Sequence, residues 1–503
     1  MNTAVQTKKL RGRTLLNLAC SLAEHGISAL LALVVTPLLI SNLGIERYGL
    51  YPIVLESAAF FGIAFGVVNS TSCRYIAIEE ERGNIDLASK YLSSAFFSNV
   101  AIGALMTLPM LLAVLFAPRF LAVPQGALYD LRLFACLVFA SVLVDAIASA
   151  FGSVYYVTNR LDVRAGQQLA TALLKAGTLA LIFFNFKPTL AGVGLAVLVS
   201  TTVGAGVQTF VFFKMTRGIK LSISNFSFGM TRRMMASGLW YSLNRVASVM
   251  ACGGLLLVAN SFFLPQISGL YSVAFVAVNA ISGVVAVLAA VFVPISAKHF
   301  ARGENNRLRD SLVRDQKTVG LFASVAVAVF VAFCDEFFSL WLGEDPSKTL
   351  VWLAVILVIP ILSLACATPI INVGMVINKT RKLALLFLCV GLLTLAAAIA
   401  VSFYSDFGIF GVAAVSCASQ ILWYSLAVPI FASRALKCGV KSFFSPVVRT
   451  FLAAILSLAF CLALDSVCTA DKFGKLAVAV CASAAASAFI SFFCIFNRSK
   501  IRI

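Results

Sequence analysis

Among the ionisable side chains inside the long apolar runs of this chain, six stand out: Glu24, His25, Glu56, Asp145, Lys175 and Arg245. A charge inside a hydrocarbon-like segment is costly, so such residues line wet interiors, pair with each other, or handle a ligand or an ion. Two chemistries suit the set. The Arg245 guanidinium fork and the Lys175 point charge would hold an anionic group. Buried carboxyls such as Glu24 and Asp145 would couple to a proton or sodium ion, since burial favours proton uptake near neutral pH and a neighbouring arginine opposes it. The competing reading is internal pairing of Arg245 or Lys175 with Asp145 or Glu56. His25 either joins this chemistry or satisfies the surroundings of Glu24, although adjacent helical residues point about 100° apart.

Polar residues near the first charges recur with helical spacing. Asn17, Ser21, Glu24 and Ser28 follow steps of 4, 3 and 4, which places them on one helix face. Ser237, Tyr241, Asn244 and Ser248 repeat those steps 220 residues later, and His25 then corresponds to Arg245. A polar stripe turned to lipid is unfavourable, so both stripes are expected to line a cleft; the alternative is that they glue helices together.

These positions need membrane helices to carry them. The chain has 503 residues, 61% hydrophobic and 12% charged, with a mean hydropathy of +0.99. Soluble domains carry about 25% charged residues. Fourteen runs are long enough for the ~20 helical residues that a bilayer core requires: 14–41, 48–72, 91–117, 131–157, 165–186, 189–213, 234–262, 267–297, 317–342, 349–377, 383–404, 408–433, 447–465 and 474–496. None alternates as a barrel strand would. The basic start, "MNTAVQTKKLRGR", precedes a long run without a clear cleavage site, so it reads as a retained first helix. Prolines 37, 109, 360, 369 and 429 are expected to kink or interrupt their helices.

With the N-terminus inside, the inner connectors and span ends carry 30 lysines and arginines and the outer ones 7; Lys175 and Arg245 complete the total of 39. That asymmetry places both termini in the cytoplasm. It also explains the net charge of +19 without nucleic acid, because the basic residues are spread over short inner connectors. The longest connectors are expected at 217–233 and 298–316.

A shift of 220 residues lays Gly49-Leu50-Tyr51 on Gly269-Leu270-Tyr271, and Arg82-Gly83 on Arg302-Gly303. A shift of 219 lays Asn159-Arg160 on Asn378-Lys379, and Gly192-Val193 on Gly411-Val412. The expected architecture is therefore an all-α polytopic membrane protein of about fourteen transmembrane helices. Two six-helix bundles in parallel repeat, residues 1–220 and 221–445, are followed by a C-terminal helix pair, 446–503. Such bundles rock to expose a central cleft to one side at a time.

Other chemistries are absent. The thirteen cysteines form no CxxC pair, there is no P-loop or HExxH motif, and only two histidines occur. No catalytic or metal-binding cluster and no cofactor are expected. A glycan polymerase or ligase would need a sizeable outer loop, and the outer connectors are short.

The connector "LGIERYGLYPI" and the following "FFGIAFGVVNSTSCRYIA" resemble the first hairpin of bacterial polysaccharide-exporting flippases. These belong to the multidrug/oligosaccharidyl-lipid/polysaccharide exporter superfamily and include the O-antigen translocases. The twelve-plus-two helix plan is shared with them. The resemblance implies an inner-membrane flippase of undecaprenyl-pyrophosphate-linked oligosaccharide, serving O-antigen, capsule or exopolysaccharide synthesis. A polysaccharide polymerase and other assembly proteins are then candidate partners, and a proton or sodium ion a candidate coupling ion. On this reading Arg245 and Lys175 hold the pyrophosphate, and Asn17, Tyr241 and Asn244 contact sugar hydroxyls. Glu24, His25, Glu56 and Asp145 couple ions or form pairs. Two rivals stay open: a cation-coupled multidrug antiporter, which the three acidic residues suit, and a lipid II flippase.

Overall fold

A computed structural model describes residues 2–467 apart from 159, 217, 377–379 and 437, together with 474, 480–486 and 489. Among the described residues the chain is helical and contains no strand. It begins with α1 (Asn2–Leu43), α2 (Ile45–Glu81), α3 (Ile85–Phe120), α4 (Leu128–Ala148), α5 (Ser153–Val157), α6 (Leu161–Asn185) and α7 (Leu190–Met215). Next come α8 (Phe228–Ala251), α9 (Gly254–Phe262), α10 (Pro265–Ala290), α11 (Val293–Ala301), α12 (Asn305–Ala332) and α13 (Cys334–Leu342). The series ends with α14 (Lys348–Val358), α15 (Pro360–Val376), α16 (Thr380–Tyr404), α17 (Gly408–Leu422), α18 (Val428–Ala435) and α19 (Lys441–Val467). Thirteen helical stretches are long and apolar enough to cross a membrane, in the order of the first thirteen expected spans. The fourteenth, 474–496, falls largely outside the described residues.

Helices outrun their apolar cores. The first begins at Asn2, not at 14, and the second reaches Glu81. The expected connector at 298–316 is a correction: α11 ends at Ala301 and α12 starts at Asn305. Hydropathy marks where lipid stops, whereas the helix continues through Lys, Arg and Glu, which are good helix formers. Pro360 opens α15 after a break at Ile359, and Pro429 follows a widened turn at Trp423–Ala427. A proline lacks the N–H that a regular turn needs, and an i→i+5 turn absorbs the defect.

Residues that the 219- and 220-residue shifts pair share local geometry. At a first turn, between α2 and α3, Arg82 N–H bonds Ile78 O, Gly83 N–H bonds Glu80 O, and Asn84 N–H bonds Glu79 O. At the second, Arg302, Gly303 and Glu304 bond Lys298, Phe300 and His299 in the same pattern. Gly83 and Gly303 both take the left-handed conformation, φ 76° and 70°, which glycine adopts without a Cβ clash. Likewise a Cβ on Gly192 would stand 2.9 Å from Ile182, and one on Gly411 2.5 Å from Val401; Ile182 and Val401 are again 219 apart. The match of Asn159 with Asn378-Lys379 lies outside the described residues.

By internal contacts the chain forms two units, Met1–Gly269 with Ala384–Leu392, and Leu270–Leu383 with Leu393–Ile503. Helix α8 belongs to the first of these. It packs along α2 so closely at Gly238 that a Cβ would collide with the Val67 carbonyl.

Candidate functional site

All nine residues singled out above lie in the first unit. Helix α1 turns its polar stripe toward partners within that unit. Asn17 is buried, and its Oδ1 accepts the Asp162 N–H at the start of α6 (3.1 Å), satisfying a donor that the helix itself leaves open. Glu24 is also buried; its Oε1 accepts from Ser28 Oγ (3.2 Å) and its Oε2 meets His25 Nδ1. The His25 ring is exposed, and Nδ1 also lies 2.9 Å from the Ser21 carbonyl oxygen. Glu24 and His25, though 100° apart in helical projection, therefore touch by rotamer choice.

The α8 stripe is more open. Ser237, Tyr241 and Arg245 are exposed, and Asn244 and Ser248 half-buried. Ser237 Oγ shares a hydrogen bond with Tyr75 OH across to α2 (3.1 Å). Arg245 lies within electrostatic reach of Glu56 of α2, without a direct ion pair among the described residues. The Glu56 carboxylate occupies the space a side chain would take at Gly253, where α8 gives way to α9.

A cavity of about 730 Å³ opens between α2, α4, α6 and α7. Its shape comes from an interruption: α4 stops at Ala148, a tight 3₁₀ turn spans Ser149–Gly152, and α5 resumes at Ser153. A break inside a membrane span leaves carbonyls without helical partners. Here the fully buried Asn99 donates from Nδ2 to Ala146 O (2.8 Å), and Gln208 Nε2 donates to Ala148 O (2.8 Å). Asn99 also donates to Asn69 Oδ1 (2.9 Å), tying α2 to the break.

The walls divide into fixed and free groups. Gln167 accepts from Tyr155 OH (3.2 Å) and donates to Gly204 O (3.0 Å), bracing α6 between α5 and α7. Arg164 donates to Tyr156 OH (2.6 Å) and lies over its ring, 5.7 Å from the centroid. Asp145, Gln168 and Thr201 also line the cavity, and their side chains have no hydrogen bond or ion pair among the described residues.

Arg164, Gln168 and Thr171 continue to Lys175 at steps of 4, 3 and 4 along α6. Lys175 is half-buried and unpaired among the described residues. Arg164 falls just before the expected span 165–186, so hydropathy alone does not reveal this third stripe, whose spacing equals that of the other two. Lys175 and Asp145 are not paired with each other.

Residues 15–300 match the family model described as "Polysaccharide biosynthesis protein". The "Uncharacterized membrane protein EpsK" of Bacillus subtilis (strain 168) is 22% identical over 461 residues, covering 92% of this chain and 91% of that protein. Among solved structures, "Lipid II flippase MurJ, inward closed conformation" superposes with a TM-score of 0.70 at 15% identity, over 95% of this chain and 98% of the other. An inward-facing multidrug resistance MATE family transporter of the MOP superfamily gives 0.60 at 15% identity, over 84% and 98%. At these identities the two structures share the fold.

Proposed function

Because the chain belongs to the polysaccharide biosynthesis protein family, we propose that it flips an undecaprenyl-pyrophosphate-linked oligosaccharide across the bacterial inner membrane. Movement runs from the cytoplasmic to the outer leaflet, for O-antigen, capsule or exopolysaccharide assembly. Lobes 1–220 and 221–445 alternate access, 446–503 is appended, and both termini are cytoplasmic. A polysaccharide polymerase takes over the product.

The observation that carries this reading is a cation held within a span without an acidic partner. Lys175, unpaired among the described residues, sits on the polar face of α6, and the exposed Arg245 joins it as the second headgroup ligand. A cation held within a membrane span favours an anionic partner, and a pyrophosphate supplies one. Tyr241 and Asn244 serve sugar hydroxyls. Asn17, whose Oδ1 caps α6, positions that helix. Glu24, with His25, and Glu56 remain the candidates for coupling a proton or sodium ion. The test is reconstitution in proteoliposomes with fluorescent lipid-linked oligosaccharide, alongside a gene deletion. Flipping in vitro, with loss of surface polysaccharide and inner-leaflet accumulation of repeat units, supports the reading.

The unpaired Asp145 carboxylate beside a cavity favours a second reading, a cation-coupled multidrug antiporter. Resistance to cationic dyes with an intact surface glycan would select it. Specific flipping of lipid II would select the remaining rival.

A further inference from the structure

We propose that the cavity between α2, α4, α6 and α7 seats the glycan: a short oligosaccharide enters it while Lys175, beyond its wall, holds the pyrophosphate. The inference rests on the flippase reading. At about 730 Å³ the space falls among small-molecule sites, which run from about 300 to 1,000 Å³, and far exceeds what an ion needs.

The wall chemistry is that of a polyol site. A sugar hydroxyl both donates and accepts. Gln168 offers both functions, Asp145 accepts twice, and Thr201 does either. The half-exposed Tyr156 ring, which carries Arg164 on one face, offers its other face to the C–H face of a pyranose. Charge is balanced, with one aspartate against one arginine, and Arg164 is already engaged by Tyr156. That balance favours a neutral polar ligand over a strongly anionic or cationic one.

Rigidity points the same way. Asn99, Gln208 and Gln167 use their amides on backbone carbonyls and so hold the broken α4 and its neighbours in place. The groups left over, Asp145, Gln168 and Thr201, are those facing the interior. Fixed walls with unengaged polar groups are a preorganised receptor. Connectivity fits as well. Thr171 lines the cavity, and Lys175 lies one turn farther along α6, roughly 6 Å by helical rise. The first sugar of a lipid-linked glycan is bonded directly to the phosphate, so headgroup and ring must bind side by side.

The full chain in lipid nanodiscs is titrated with two probes, the glycolipid extracted from host membranes and undecaprenyl pyrophosphate without sugar. The wild type is expected to bind the glycolipid about tenfold tighter. Asp145→Asn, Gln168→Ala and Thr201→Val each reduce that preference severalfold and leave the sugar-free lipid unaffected. Thr201→Phe, which projects a ring into the cavity, reduces the preference further than Thr201→Val, while sugar-free binding shows that the variant is folded. Lys175→Ala weakens both probes. Equal affinity of the wild type for both lipids with flipping intact overturns the cavity assignment alone. So do variants that affect both probes alike or neither, or displacement of the glycolipid by ethidium. Binding of neither lipid by the wild type overturns the flippase reading together with it.

Discussion

Gly49 and Gly269, 220 residues apart, meet backbone to backbone. A Cβ on Gly49 would stand 2.9 Å from the Gly269 Cα, and a Cβ on Gly269 2.5 Å from the Ile45 carbonyl oxygen. Backbone cannot swing aside as a long side chain can, so the two positions require glycine for proximity and not for turn geometry.

Alanine at Gly269 is therefore expected to destabilise the protein by about 1–3 kcal/mol, the usual penalty of overpacking. Gly26 has nothing within 4 Å of its Cβ position and lies inside α1. There alanine removes a poor helix former and should be neutral or stabilising by up to about 1 kcal/mol. Thermal unfolding in detergent separates the two. Equal melting temperatures for Gly269→Ala and Gly26→Ala would count against the close approach.

Asn99 is the keystone of the α4 interruption, giving Nδ2 hydrogen bonds to Asn69, Ala146 and, at 3.3 Å, Ser149. Asn99→Leu removes the donor to Asn69 Oδ1 and one of the two to Ala146 O, which Ser149 Oγ also serves at 2.6 Å; a buried acceptor left unsatisfied costs about 1–3 kcal/mol. Hydrogen exchange should rise around residues 146–152 before any global loss of structure. Unchanged protection there would show that the break holds without Asn99.

The thirteen described spans and the turns at Gly83 and Gly303 were legible because lipid imposes length and hydropathy on every helix. Helix ends were not, since polar residues beyond the bilayer extend helices such as α2 to Glu81. The α4 interruption was invisible for a different reason. Its sequence, Ser149-Ala150-Phe151-Gly152, contains no proline, and the side chains that stabilise it come from α3 and α7. Among the site residues, spacing found the α1 and α8 stripes but not which way they turn. Asn17 looked like a cleft residue and caps α6. The α6 stripe could have been found, because Arg164, Gln168, Thr171 and Lys175 carry the same 4, 3, 4 steps.

Glu304, at the second repeat turn and outside the spans, should report on pH. The His299 ring bonded to it at 2.8 Å, followed by Arg307, whose guanidinium lies at 3.1 Å, holds its carboxyl below the usual carboxylate range. Its stabilisation is thus fully present above the unfolded value, about 4.3, and is lost as pH falls through the folded one. Wild type and Glu304→Gln should differ most in melting temperature above about pH 5 and converge in acid. A difference that grows on acidification would have the wrong sign.

The headgroup assignment makes the sharpest functional prediction. Hydrogen bonds to charged groups contribute about 1.5–3 kcal/mol, so Arg245→Ala and Lys175→Ala should each slow flipping about 10- to 100-fold, read as dithionite-accessible fluorescence in proteoliposomes. Lys175→Arg keeps the charge and should retain most activity. Arg245→Lys loses the bidentate fork and should fall between wild type and alanine. Glu56 bears on the same site, because it is the carboxylate that feels Arg245. Glu56→Gln frees the guanidinium from that competitor, so the headgroup should bind more tightly and leave more slowly, lowering KM and kcat together. Wild-type flipping by both alanine variants would remove Arg245 and Lys175 from the headgroup site, and a Glu56→Gln variant with raised KM would show that Glu56 supports the cation and does not compete with the substrate for it.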